Sequence, residues 1–360
     1  MKNSISHTAG SLLPGRGRGW ILTFLKNWTL PVAIIVGSVF YLLFAYVPAL
    51  DAAGDTFLPL FETLLPITIF FTLFITFSKV DFHLMRLRPW HFYVLTTQLL
   101  LIGALVATTL FLLPSITGGV GGGSSKLLLE AILVCVIAPC AAASPIVTAK
   151  LGGNLTQMTT FVLLSAVVVS LLIPAVFPLL EPHQGFTFRV TFWLILKRLA
   201  SVLLMPLLLG AIVRHWVKPL YECLMRTPDL SFYCWAVSLS IVVGLTLRNI
   251  LHSPASGLLL GEIAFFSFLT AITQFAIGRF IGRNADEKIR TGQGMFQKNT
   301  SLAIWIAYVY LSSVASIGAG CYVLWQNIIN SYELWQHRRT SAPGPDTTTA
   351  PTTSQRNRHL

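Results

Sequence analysis

The sequence predicts an all-α, polytopic membrane protein. Three observations lead there: too few charges for a water-facing surface, many apolar runs of spanning length, and lysine and arginine gathered in alternate gaps between those runs. Of 360 residues, 54 % are hydrophobic and 11 % charged, where a soluble domain carries about 25 % charged residues. So few charges cannot cover a molecule of this size in water, and the solvent around most of it must be lipid. A helix needs about 20 apolar residues to cross the hydrocarbon. The formal net charge is +12. In a soluble chain that would suggest nucleic acid. Here the basic residues sit between apolar runs, which marks loops at a membrane face. The expected partner is the lipid bilayer, with no nucleic acid and no obligate protein partner. Cys135, Cys140, Cys223, Cys234 and Cys321 form neither a CxxC pair nor a metal-ligand spacing with histidine, and read as packing residues.

Ten spans follow from the apolar runs, at 28–50, 57–77, 90–113, 127–149, 156–180, 192–213, 230–250, 260–281, 290–310 and 311–332. The last two run together, and only their length and Ser312-Ser313 mark a reversal. Alternate gaps test this count. One set holds Lys79, Arg86 and Arg88, then Arg214, Lys218 and Arg226, then Arg279, Arg283 and Lys288, and finally Arg338 and Arg339. The other set holds little beyond Lys126, Arg189 and Arg248. The asymmetry puts both termini in the cytoplasm. Lys197 and Arg198 lie early in span six and are expected to snorkel to the outer interface. Residues 1–27 read as a polar cytoplasmic segment with no cleavable signal. Residues 28–335 form the membrane domain. Residues 336–360, rich in Thr, Pro and Ser, form a disordered cytoplasmic tail.

Ten spans divide into five and five, and an odd number per half turns the halves opposite ways across the membrane. The fourth span of each half is unusual. The first reads Ala138-Pro139-Cys140-Ala141-Ala142-Ala143-Ser144-Pro145, and the second reads Thr291-Gly292-Gln293-Gly294-Met295-Phe296-Gln297-Lys298-Asn299-Thr300-Ser301. Pro139, Pro145 and Gly294 are the expected helix breaks. Proline lacks an N–H and clashes with the preceding turn, and freed carbonyls cannot face lipid. Interrupted helices at matching places in two inverted repeats point to a transporter's binding site.

These features together resemble the bile acid:sodium symporter family. The resemblance rests on the 139–144 break followed by Lys150-Leu151-Gly152-Gly153-Asn154, on the run from Gly294 to Thr300, on Gln98 nine residues after Pro89, and on Pro206 through Gly210. It covers about 28–335. It implies two five-helix inverted repeats with discontinuous helices 4 and 9 crossing. Spans 1, 2, 6 and 7 would form a panel, and spans 3–5 and 8–10 a core that rocks against it. It also implies a bacterial-type member in the cytoplasmic (inner) membrane that takes up an organic anion, commonly with sodium. Sodium-coupled members carry a glutamate where this chain has Gln293, a serine-asparagine pair where it has Ser144-Pro145, and often an asparagine where it has Lys298. A sodium site would therefore fall to Gln98, Gln293 and Gln297, without a carboxylate.

The candidate substrate and ion residues are Gln98, Ser144, Gln293, Gln297, Lys298, Asn299, Thr300 and Ser301. Lys298 is the sharpest of them, because a lysine at the bilayer centre costs at least about 3 kcal/mol on insertion scales. Its ammonium either takes the place of a coupling cation or snorkels from a shallower helix. Glu62 has no obvious partner and reads as close to the outer interface. The leading function is a secondary active transporter of a small organic anion working by alternating access. Sodium and the proton are the candidate coupling ions, and no other cofactor is expected. A membrane-embedded enzyme would need clustered histidines or paired acids at membrane depth. The eight histidines lie in loops or at span ends and carboxylates within spans are nearly absent, so no catalysis is expected. The alternative is a channel or a transporter-like receptor without coupled transport.

Overall fold

The computed structural model describes residues 29–47, 51–117, 123–181, 187–227 and 230–341. The first 28 residues, the glycine-rich stretch 118–122 and residues 342–360 lie outside them, and with them most of the two terminal segments anticipated from sequence. Every named element is helical: α1 Thr29–Tyr46, α2 Asp51–Ser78, α3 Pro89–Ala107, α4 Gly123–Ile137, α5 Ser144–Lys150, α6 Leu155–Leu180, α7 Phe188–Trp216, α8 Lys218–Arg226, α9 Leu230–Leu251, α10 Gly257–Ile281, α11 Ala285–Phe296, α12 Thr300–Tyr310 and α13 Ser313–Ser341. A π-turn at Thr108–Leu112 carries α3 on into Leu113–Thr117. The sequence boundary at 336 falls inside α13.

Among the described residues, six helical stretches are long and apolar enough to cross a membrane: Pro59–Ser78, Pro89–Ser115, Leu155–Leu180, Phe188–Trp216, Tyr233–Leu251 and Gly257–Ile281. Phe111, Leu258 and Phe280 point outward from them. Such exposure would drive aggregation in water and is satisfied by lipid. Pro59, Pro66, Pro174, Pro178 and Pro206 sit inside these helices, each leaving the carbonyl four residues before it without its helical N–H partner. The short α8 is amphipathic, with Leu224 buried and its charges exposed.

Helices α1, α2, α7 and α9 pack on one another, and α3, α4, α10, α11 and α13 do likewise, with α6 lying against α7. The large apolar cluster runs from Phe77 through Phe161 to Trp305. The α5–α6 turn fits the expected glycine-asparagine turn. Gly152 has φ of 86°, a left-handed conformation that glycine alone adopts without penalty. The Asn154 side chain then caps α6 by accepting from the Gln157 N–H at 2.9 Å.

Candidate functional site

Two helices stop in mid-course, and their loose ends meet. α4 ends at Ile137 and α5 begins at Ser144; α11 ends at Phe296 and α12 begins at Thr300. The two breaks run antiparallel, with Cys140 opposite Lys298. The Ala141 N–H donates to the Gln297 carbonyl at 2.9 Å, and the Asn299 N–H donates to the Pro139 carbonyl at 2.8 Å. Each break thus supplies the backbone partners that the other lost by leaving the helix, which is the condition for irregular backbone at membrane depth.

Side chains from neighbouring helices close the remaining gaps. Gln98 on α3 donates from Nε2 to the Val136 and Ala138 carbonyls at 2.9 and 3.2 Å. These are the carbonyls freed where α4 ends. Gln274 on α10 donates from its own Nε2 to Tyr322 Oη at 3.1 Å, and the Tyr322 hydroxyl donates to the Phe296 carbonyl at 2.7 Å, where α11 ends. The Cys140 N–H donates to Ser165 Oγ on α6 at 2.9 Å. The Lys298 N–H donates to Gln326 Oε1 on α13 at 2.7 Å. Asn299 caps α12, accepting from the Leu302 N–H at 3.2 Å.

The Lys298 side chain is 1 % exposed, and its Nζ has no hydrogen-bond partner among the described residues. Among the described residues no carboxylate lies within ion-pair distance of it. Buried acceptor oxygens of Gln98, Gln274 and Gln297 are also unpartnered. Native interiors keep few such atoms, and each invites a functional reason. A hard cation prefers several oxygens including carboxylates. The crossing offers neutral amides and an amine, so its residues do not fit a sodium ion well.

Of the residues named from sequence, Gln98, Ser144, Gln297, Lys298 and Asn299 meet at the crossing. Ser144 Oγ lies 3.2 Å from Cys140 Sγ and 3.5 Å from the Gln297 carbonyl. Thr300 and Ser301 are buried in the first turn of α12. Gln293 is elsewhere, one turn back in α11, where its Nε2 donates to Asn330 Oδ1 at 3.0 Å and to Glu333 Oε2 at 2.9 Å.

Two of the expected breaks are corrected. Gly294 is not a break: it lies inside α11, and a Cβ there would sit 3.1 Å from the Phe161 ring, so its smallness serves close packing. Pro145 occupies the first turn of α5, a position that needs no N–H partner and suits proline. Pro139 alone of the three falls within a break.

Other expectations also change. Glu62 has partners: Tyr308 Oη donates to it at 3.2 Å and Arg248 lies 3.5 Å away. Arg198 is exposed, and its guanidinium stands 5.4 Å from the centroid of the Trp305 ring. Carboxylates within the helices are not negligible. Glu130 is fully buried beside Lys126 at 3.6 Å, and Glu333, 7 % exposed, pairs with Arg279. Ser165, Gln274, Tyr322 and Gln326 were not singled out from sequence. The signal available was a lone polar group in an apolar helix.

The family model of the sodium bile acid symporter family matches residues 63–253. That is more than half of the chain. The chain belongs to the sodium bile acid symporter family. With its apolar spanning helices, this makes it an integral membrane protein of the symporter-type transporters, and members of the sodium bile acid symporter family are transporters rather than enzymes. The match runs from within α2 to just past α9, so it includes the first break and not the second. A search of curated proteins finds no match.

Proposed function

We propose that the chain is a secondary active transporter that moves a small organic anion by alternating access, with Lys298 supplying the positive charge at the crossing. The observation that carries this reading is the buried, unpartnered Lys298 amine at the point where two interrupted helices pair. A lysine at membrane depth is expensive and is kept where it acts. In this reading α1–α6 and α7–α13 are inverted repeats of five spans each, with both termini in the cytoplasm. The matched ties support it. Gln98 serves the end of α4 as Gln274 and Tyr322 serve the end of α11. Ser165 and Gln326 each accept the middle N–H of a break.

Residues 28–335 form the transport domain. α1, α2, α7 and α9 are the panel; the rest is the core. The site comprises Gln98, Ser144, Gln297, Lys298 and Asn299, with Thr300 and Ser301 in its wall and Gln293 supporting it through Glu333. The membrane is the bacterial cytoplasmic membrane. Coupling runs through the Lys298 amine and not through a carboxylate-held sodium ion. Purified protein in proteoliposomes is tested with a panel of labelled organic anions under separately imposed sodium and proton gradients. Uptake of one anion class that is indifferent to replacing sodium by potassium is expected. Uptake that depends on sodium, or no uptake and no thermal stabilisation by any anion, would overturn the proposal.

A further inference from the structure

A second polar site lies away from the crossing, at the end of the molecule that carries the basic connections. A cavity of about 390 Å³ opens there between the starts of α3, α6 and α11. Three arginines line it: Arg88, Arg283 and Arg290. Arg290 is 7 % exposed. It donates to Gln157 Oε1 and pairs with Asp286 at 2.6 Å, while its Nε has no partner. Its guanidinium stands 5.8 Å from the Trp90 ring centroid, and that of Arg283 stands 5.9 Å from the Tyr93 ring centroid.

The walls are held rigidly. Trp90 Nε1 donates to Gln157 Oε1 at 3.3 Å. His91 Nδ1 accepts from the Arg88 N–H at 3.1 Å, so its proton is on Nε2, which donates to the Gln157 carbonyl at 3.2 Å. Arg88 and Arg283 are exposed, and among the described residues neither guanidinium makes an ion pair. The acidic groups at the cavity are Glu287, which accepts from the Arg283 backbone N–H at 3.1 Å, and Asp286, which is half exposed. Three guanidiniums thus outnumber two carboxylates, and two of the three have free forks. The free fork of Arg283, held over an aromatic face, and that of Arg88 beside it match the oxygens of a phosphate group.

We infer that this cavity is a binding site for a phosphate-bearing anion, either a lipid headgroup at the membrane face or a soluble phosphomonoester. The site is separate from the crossing and does not rest on the transport reading. The test measures the thermal midpoint of the full-length protein in phosphatidylcholine nanodiscs. One arm titrates inorganic phosphate and glycerol 3-phosphate against chloride at fixed ionic strength. The other replaces part of the phosphatidylcholine by phosphatidylglycerol. The same arms are run on the double variant Arg88→Ala/Arg283→Ala, whose exposed positions leave the packing intact.

A rise in midpoint with soluble phosphate in the first arm assigns a free ligand. A rise confined to phosphatidylglycerol assigns a headgroup. In either case the double variant should need about tenfold more ligand or beyond for the same rise, the size of one lost charge-assisted hydrogen bond. No response in either arm overturns the inference, and so does an equal response in wild type and double variant.

Discussion

Replacing Lys298 by methionine separates stability from function at the crossing. The side chain is 1 % exposed, so the new residue must fill the same space. Methionine does so with little strain, being unbranched and adaptable. What the exchange removes is an amine with no hydrogen-bond partner among the described residues and no carboxylate among them within ion-pair distance. An unsatisfied buried polar group costs about 1–3 kcal/mol, and lysine at a helix centre costs about 2.5–3.5 kcal/mol on insertion scales. The only bond that residue 298 makes to Gln326 is through its backbone N–H, which methionine keeps. Lys298→Met should therefore be more stable than wild type by about 1–3 kcal/mol. In thermal unfolding of detergent-purified protein that is a rise of about 2–4 °C per kcal/mol or somewhat less for a chain of this length. Uptake in proteoliposomes should fall to background. A variant destabilised by about 1 kcal/mol or more would show that the amine has a partner, and the geometric reasoning would fail. A stabilised variant with wild-type uptake would sink the functional half of the argument.

Gln98→Leu removes both donors to the Val136 and Ala138 carbonyls; a loss of about 2 kcal/mol or more is expected in the same unfolding assay, and an unchanged midpoint would mean that those carbonyls find other partners. Gln293→Glu brings a second carboxylate to about 3 Å from Glu333, since Gln293 Nε2 now lies 2.9 Å from Glu333 Oε2. With Asn330 Oδ1 alongside, the new oxygens suit a hard cation, so sodium should raise the variant's midpoint more than choline does. Equal effects of the two salts would count against this place as a cation site.

Much of the site was legible because the membrane penalises irregularity. A proline at 139 and a polar run from Gln293 to Ser301 inside apolar helices have few explanations. These led to both breaks, Lys298 and Asn299, while Gln98 came from the family resemblance. The sequence reading missed what a one-dimensional pattern cannot carry. Ser165 and Gln326 are single polar residues, indistinguishable in sequence from Ser170 or Asn327 until the break they serve is placed beside them. Glu333 lay one residue past the drawn end of span ten, and only α13's continuation to Ser341 puts it within reach of Gln293 and Arg279. Gly294 misled for the opposite reason. A glycine beside a polar run looks like a break, whereas its lack of a Cβ is used by Phe161.

The distribution of polar ties bears on how such a molecule could move. The ties around the crossing come from α3, α6, α10 and α13, which are all parts of the proposed core, and they are buried. Tyr308 to Glu62, Asn249 to Ser316 at 3.0 Å, and Arg198 over Trp305 join that core to the proposed panel. Asn249 and Ser316 lie at the ends of their helices, whereas Arg198 and Trp305 lie within theirs. Glu62 and its neighbour Arg248 are about one-third exposed, and exposed ion pairs contribute about 0–1 kcal/mol. Breaking the crossing would strand several buried backbone groups at about 1–3 kcal/mol each. Separating panel from core there breaks one buried hydrogen bond, Asn249 to Ser316, and otherwise exchanges partly exposed polar contacts for water. In the proposed alternating-access cycle, a rigid core rocking against a panel would require that imbalance, and Lys298 would stay fixed in the core while access to it changed.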